Sequence, residues 1–352
     1  MLREDYRDAH MNNVVQARRA SRSKIREQIL IIKERTKVMT KKSERHSSSN
    51  IIVIGIDHGW SLIKTSDFIF TTGVKELTTQ PAFPNHVLEF ENKYYAIGEK
   101  RLIVKDTKVE NENFYLLTLA AIAMELRKRG VRNGDICLSV GLPLSKYGAE
   151  KQDFIKYLSK NTEVSFKYED VNYRVRIVKV MAFPQCYAAV ADKLSSRKRE
   201  QLVVDIGSWT FDCLTIKDMI PQNGESTSKE IGLITCMNEI NDECIGQLKG
   251  EIAESDIQHI MMTGKSELPD KYTKIVVDRL KEFTKEVCDT LKEEKYSLDL
   301  TPVTFVGGGA KIMELFGDMN SENISYITDV RANARGFEFL AKTSLMRRAG
   351  GR

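Results

Sequence analysis

The chain has 352 residues, 41% hydrophobic and 29% charged, with a formal net charge of +5. That is ordinary globular composition and enough length for two domains. No run approaches the roughly 20 apolar residues that cross a bilayer, since even Leu116–Leu126 is broken by Thr118 and Glu125. The positive charge is also unevenly spread: residues 1–49 hold 13 Lys/Arg against 6 Asp/Glu, leaving 41 against 43 in the remainder, which argues against a nucleic-acid-binding core.

Residues 1–38 carry Val14, Val15, Ile25, Ile29 and Ile32 loosely spaced among basic residues and read as helical. Residues 41–50 form a polar, serine-rich linker. A basic arm of this kind either touches DNA or an acidic membrane surface, or is a solvated, poorly ordered extension. The second reading is preferred, and membrane insertion is not expected because large apolar residues are sparse. Direct nucleic-acid contact is not expected elsewhere in the chain. Met39 is an alternative start. The first 30 residues lack the apolar block of a secretory signal. Cys137, Cys186, Cys213, Cys236, Cys244 and Cys288 show no CxxC spacing. Both features fit reduced thiols in a cytoplasm.

The fold is expected to begin near Ile51. Ile51–Ile56 is a short β-branched run that fits a buried strand. Asp67–Phe70 and Tyr94–Ile97 read as following strands, with 71–84 as a loop. Phe114–Arg129 is the strongest helix, with Leu116, Leu119, Ala120, Ala123 and Leu126 on one face and Gly130 ending it. Next come a strand over Ile136–Val140, a helix over Lys151–Ser159, and a hairpin from Val164–Tyr168 and Tyr173–Val180. Pro184–Ser195 reads as a helix opened by its proline. The second half repeats this grammar: strand Leu202–Ile206, hairpin partner Cys213–Ile216, helix Ile275–Lys292, strand Val303–Val306. Strands followed by helices, twice, suggest a duplicated α/β unit.

Each half opens on the same local device, an apolar strand that runs into an aspartate and then a glycine turn. The first is Ile54-Gly-Ile-Asp-His-Gly-Trp-Ser61, reaching Lys64; the second is Val204-Asp-Ile-Gly-Ser-Trp-Thr-Phe-Asp212. A nucleoside triphosphate needs backbone donors and cations around its phosphates. Gly59 lets the backbone come close, Asp57 at the strand end suits a magnesium ion held largely through its waters, and Lys64 lies across the hairpin within reach of a β- or γ-phosphate. His58, Trp60 and Ser61 complete that loop. In the second loop Asp205 is a further magnesium-shell or water-polarising carboxylate, with Asp212 as an additional metal candidate. Gly207, Ser208, Trp209 and Thr210 supply backbone and hydroxyl donors. A third element, Val303-Thr-Phe-Val-Gly-Gly-Gly-Ala-Lys311, ends a strand in Gly307, Gly308 and Gly309, where backbone can approach a flat ligand or a phosphate. It matches neither the Walker loop nor the dinucleotide fingerprint.

These motifs resemble those of the actin-like ATPase superfamily, which also contains 70-kDa chaperones and sugar kinases. Residues 55–64 look like its phosphate-1 loop, 205–212 phosphate-2, 305–310 the adenosine motif, 180–191 the connect-1 helix and 333–340 connect-2. The order is the family's across about 50–345, and the resemblance is strongest to bacterial plasmid-segregation actins of the ParM type. It implies an α/β, actin-like (ribonuclease H-like, duplicated) two-lobed fold with the nucleotide cleft between lobes. The expected organisation is a basic extension 1–49, lobe I at 50–190, lobe II at 191–330, and a C-terminal helix 331–352 returning to lobe I. The resemblance further implies ATP (or GTP) with Mg²⁺, self-assembly into filaments, a ParR-like DNA-binding adaptor on a plasmid centromere, and a bacterial cytoplasmic setting. Gln185 stands where that group orients the attacking water, a task for which positioning suffices. Trp60, Trp209, His58 and Ser208 replace the residues usual at the loop tips. Too few residues follow connect-2 for a chaperone's substrate domain. A small-molecule kinase and a shape-determining or division actin are the alternatives. If filaments form, 218–229, 144–151 and 261–272 are candidate contact loops.

Overall fold

The computed structural model describes residues 51–194, 200–319 and 322–350, within a compact unit spanning Asn50–Arg352. The helix expected over 1–38, the linker and the Met39 start lie outside the described residues. The architecture is two mixed sheets, each with its own core.

The first sheet has nine strands in the order β3-β2-β1-β7-β9-β8-β5-β6-β4. They are β1 Ile52–His58, β2 Leu62–Thr65, β3 Ile69–Thr71, β4 Val74–Leu77, β5 Val87–Phe90, β6 Lys93–Ile97, β7 Asn133–Leu142, β8 Glu163–Tyr168 and β9 Val171–Pro184. The second has five, β12 Ile220–Lys229, β11 Phe211–Lys217, β10 Glu200–Ile206, β13 Val303–Val306 and β14 Ile324–Tyr326, in that spatial order. The repeat inferred from sequence is visible in the pairing. β1 is antiparallel to β2 and parallel to β7, which is parallel to β9. β10 is antiparallel to β11 and parallel to β13, which is parallel to β14. Each half is therefore an antiparallel hairpin joined to parallel strands whose crossovers carry helices. Strands β8, β5, β6 and β4 extend the first half only.

Period-2 alternation decides which face each side chain takes. On β1, Ile54 and Ile56 enter the first core against helix α1 (Asn113–Lys128), while Val53 packs on the other face with Ala341 of the C-terminal helix. On β10, Leu202, Val204 and Ile206 enter the second core. The helices there are α4 Leu233–Leu248, α5 Glu254–Thr263, α6 Asp270–Glu293 and α7 Gly309–Phe316. Helix α1 is buried over nearly its whole length, so its pattern is strongly apolar. Helix α6 shows one stripe, with Ile275, Leu280, Phe283, Val287 and Leu291 buried.

Several local expectations are corrected. Residues 71–84 include strand β4, whose polar residues pair at a sheet edge with β6. The expected helix over Pro184–Ser195 is shorter: β9 runs through Pro184 and only α3, Tyr187–Val190, is helical. Pro184 acts as a strand terminus, where its missing N–H is tolerated, rather than as a helix opener. Of the candidate contact loops, 144–151 is the first half of helix α2 (Leu144–Leu158), and 218–229 is mostly edge strand β12. The stretch 261–272 joins α5 to α6.

Candidate functional site

The ends of β1, β10, β13 and β9 converge on one cleft of about 310 Å³, a volume suited to a small ligand. It brings together Asp57, Gly59, Trp60, Ser61, Lys64, Gln185, Asp205, Gly207, Ser208, Trp209, Thr210, Asp212, Gly307 and Gly308. The two hairpin turns are built alike: Gly59 N–H donates to the Leu62 carbonyl (3.1 Å), and Gly207 N–H donates to that of Thr210 (2.8 Å). Cross-strand register places Asp57 opposite Lys64 and Asp205 opposite Asp212. The repeat thus pairs an acid with a base in one half and an acid with an acid in the other.

Asp57 is 2% exposed. Lys64 Nζ contacts its Oδ2 at 2.9 Å and Gln185 Nε2 donates to its Oδ1 at 2.7 Å. Burial pushes the Asp57 carboxyl up, but the Lys64 ammonium and these hydrogen bonds outweigh it and hold the pKa below the ordinary value. Asp205 is held differently: Asn333 Nδ2 donates to Oδ2 at 2.6 Å, and Cys186 N–H donates to the same oxygen at 3.3 Å. Burial raises its pKa against the Asn333 hydrogen bond, with Asp57 adding repulsion. Cys186 reaches this position through φ 66°, ψ −63°. With Tyr187 N–H donating to the Gln185 carbonyl at 2.7 Å, this is a strained γ-turn. That turn aims the Cys186 peptide at one aspartate while Gln185 faces the other. Gly307 has φ +80°, and a Cβ there would meet Asp205 Oδ1 at 2.2 Å, so only glycine lets the third motif close beneath Asp205.

Two predicted contacts are revised. His58 is fully buried against Phe114 and Phe154, with Nε2 at 2.8 Å from Thr118 Oγ1, whose hydroxyl donates to the Phe114 carbonyl. Because Asp57 faces the cleft, its strand neighbour must face the core. Burial, followed by the nearby Lys108 charge, pushes the imidazole down to about 3, so it is neutral. Gly309 packs against Ile206, which a Cβ would meet at 2.3 Å, and opens α7 rather than lining the cleft. Trp60 lies edge-on to Phe114 (5.1 Å, 84°) and touches both cores.

Cleft residues that local patterns did not mark include Lys108, Glu150, Gln258, Met237, Met261 and Asn333. Asn333 alone carried a signal, as the first residue of the connect-2 motif.

The donor set suits a magnesium ion. Three buried carboxylates share the cleft, and a hard divalent cation bound through water would relieve their mutual repulsion. Among the described residues no group of three or more His, Cys, Asp or Glu is arranged to hold a metal directly. Among the described residues Ser61 Oγ is buried without a hydrogen-bond partner, and a phosphate oxygen would satisfy it.

Asp212 yields a pH prediction. Burial pushes its carboxyl up to about 6, against hydrogen bonds from Ser228 and Thr210 and with Asp205 adding to the rise. The folded state therefore holds this proton more tightly than the unfolded chain. The resulting stabilisation is complete below about pH 4 and lost as pH rises through about 6, at most about 3 kcal/mol. Thermal melts of nucleotide- and metal-free protein should show this slope, and Asp212→Asn should flatten it. An equal slope in both proteins would refute the assignment.

The family of actin-like protein N-terminal domains matches residues 55–187, and that of archaeal MreB-like actin homologue C-terminal domains matches 203–316. No curated protein matches the chain in sequence. Among solved structures, a 15-stranded ParM filament from Clostridium botulinum is 19% identical with a TM-score of 0.68, covering 83% of this chain and 99% of that one. An archaeal actin homologue in complex with ADP is 18% identical with a TM-score of 0.65, over 83% and 99%. The actin-like protein Alp7A is 15% identical with a TM-score of 0.66, over 85% and 98%. With a duplicated hairpin-and-crossover unit, the aspartates of both hairpins on one cleft, and family matches along both halves, the chain belongs to the actin-like ATPase superfamily.

Proposed function

We propose that the cleft binds a nucleoside triphosphate with Mg²⁺, ATP being the reading and GTP the alternative, and hydrolyses it to drive assembly and disassembly of filaments of this chain. The filaments segregate plasmid DNA in a bacterial cytoplasm through a ParR-like adaptor bound at the plasmid centromere. The carrying observation is that Asp57 and Asp205, equivalent positions of the two repeats, face one cavity with Gln185 bonded to the first and Asn333 to the second. Likeness to the ParM filament supports the filament part of this reading.

The residues divide the work. Lys64, Ser61 and the two glycine turns hold phosphate oxygens. Gln185 donates its amide N–H to Asp57 Oδ1, which leaves its carbonyl to accept a hydrogen bond from the attacking water and orient it. Asp205, fixed by Asn333 and the Cys186 N–H, polarises that water. Mg²⁺, held largely through water by Asp57 and Asp205 with Asp212 nearby, would neutralise charge on the phosphates. Residues 50–190 and 191–330 would be the two lobes. The C-terminal helix α8, Ala332–Gly350, would return to lobe I, where Ala341 packs with Val53.

Light scattering with Mg·ATP, followed by negative-stain microscopy, tests the proposal. Filaments that appear only with nucleotide are expected. Flat scattering at tens of micromolar protein, with phosphate transferred to a sugar, would favour a small-molecule kinase.

A further inference from the structure

Four lysines line the cleft among the described residues: Lys64, Lys105, Lys108 and Lys146. Three are engaged by carboxylates, Lys64 with Asp57, Lys105 with Glu110 and Lys146 with Glu150. Among the described residues Lys108 makes no ion pair; its Nζ lies 5.9 Å from the centroid of the Phe114 ring. It is also only 7% exposed. The carboxylates whose charge reaches it most strongly, Asp57 and Glu150, are ion-paired with Lys64 and Lys146, so a desolvated ammonium here suits a ligand that supplies further negative charge. Burial accordingly depresses its pKa to about 8.

Its position indicates which part of a ligand it meets. Lys108 lies at the Asp57 end of the cleft, close enough for its charge to depress that carboxyl and the neighbouring His58. Gln185 is bonded to Asp57 at the same end. Met237, Met261 and Ile312 provide apolar lining elsewhere in the cleft, the kind of surface a nucleobase occupies. A terminal phosphate served by Gln185 lies at this end of the cleft, which Lys108 also lines. The segment carrying Lys108 also reaches the other half of the molecule: Arg101 makes a two-pronged pair with Glu254 of α5, both bonds 3.3 Å, and Val104 packs on the second core.

We propose that Lys108 binds the terminal phosphate of a bound nucleoside triphosphate and loses that contact in the diphosphate, so that it distinguishes the two nucleotide states. This rests on the cleft being the nucleotide site.

The test uses the full chain, below its assembly concentration, with Mg²⁺ and either ADP or a non-hydrolysable ATP analogue, binding being read by titration calorimetry. Lys108→Met should weaken the analogue about 10- to 50-fold, the range of a charge-assisted hydrogen bond, and ADP less than about threefold. Lys108→Arg should restore most of the analogue's affinity. An unchanged melting temperature, or a raised one, in the methionine variant shows that it folds. Equal loss for both nucleotides, or no loss for either, overturns the assignment while leaving the site intact. Failure of the unsubstituted chain to bind either nucleotide overturns both it and the site.

Discussion

Asp205→Ala is expected to bind nucleotide nearly as well as the native chain and to turn it over about 10²- to 10³-fold more slowly, the usual cost of removing one preorganised electrostatic group from a reacting centre. Asp205 is 6% exposed and held by Asn333 and the Cys186 N–H, so its carboxylate is oriented before any water arrives. The phosphate-holding groups, Lys64, Ser61 and the glycine turns, lie apart from that hydrogen-bond pair and remain in place. Binding and chemistry should therefore separate in this variant. Filaments formed with ATP should persist longer, because the step that destabilises them is slowed. Phosphate release measured alongside the decay of light scattering checks both consequences. Native turnover in the variant would remove Asp205 from the chemistry.

Gly336→Val is expected to be the most damaging single change to the fold. Gly336 lies in α8 where that helix crosses α3; a Cβ there would meet the Ala188 carbonyl oxygen at 1.9 Å and Ala188 Cα at 3.1 Å. The obstacle is backbone, which cannot rotate aside. Accommodating valine requires α8 to lift, loosening Ala334, Phe337 and Ala341, all fully buried. Overpacking of this kind, with loss of neighbouring contacts, costs about 3 kcal/mol or more. The same displacement would draw Asn333 from Asp205, so activity should fall even where the variant is folded. Denaturant unfolding of the pair checks the first effect. Gly148→Ala provides the contrast: nothing lies within 4 Å of its would-be Cβ in α2, and it should stabilise by about 0.5–1 kcal/mol. Equal effects from the two substitutions would mean that the crossing is looser than described.

The parts of this protein legible in its sequence are those in which a short stretch carries its own signal. An apolar β-branched run ending in Asp and Gly marks β1 and β10 because the run must be buried and the turn must bend sharply at its end. Their repetition marks the duplication, and the 3.6-residue pattern marks α1 and α6. His58 was also readable in principle: once Asp57 is assigned to the cleft, strand alternation sends its neighbour to the core. Pro184 is ambiguous because a proline fits the end of a strand as well as the start of a helix, and only the length of β9 decides between them. Strand β4 carries no clear sequence signal because its polar residues are tolerated at a sheet edge. The burial of Lys108, the bond from Asn333 to Asp205 and the Gly336 crossing are decided by tertiary structure. Whether a lysine ends up desolvated, or a glycine beneath another helix, depends on residues far along the chain, as with Asn333 and Asp205, 128 positions apart, or Gly336 and Ala188. Hydrophobic period is a property of neighbours along the chain, whereas charge pairing and close packing are properties of neighbours in space.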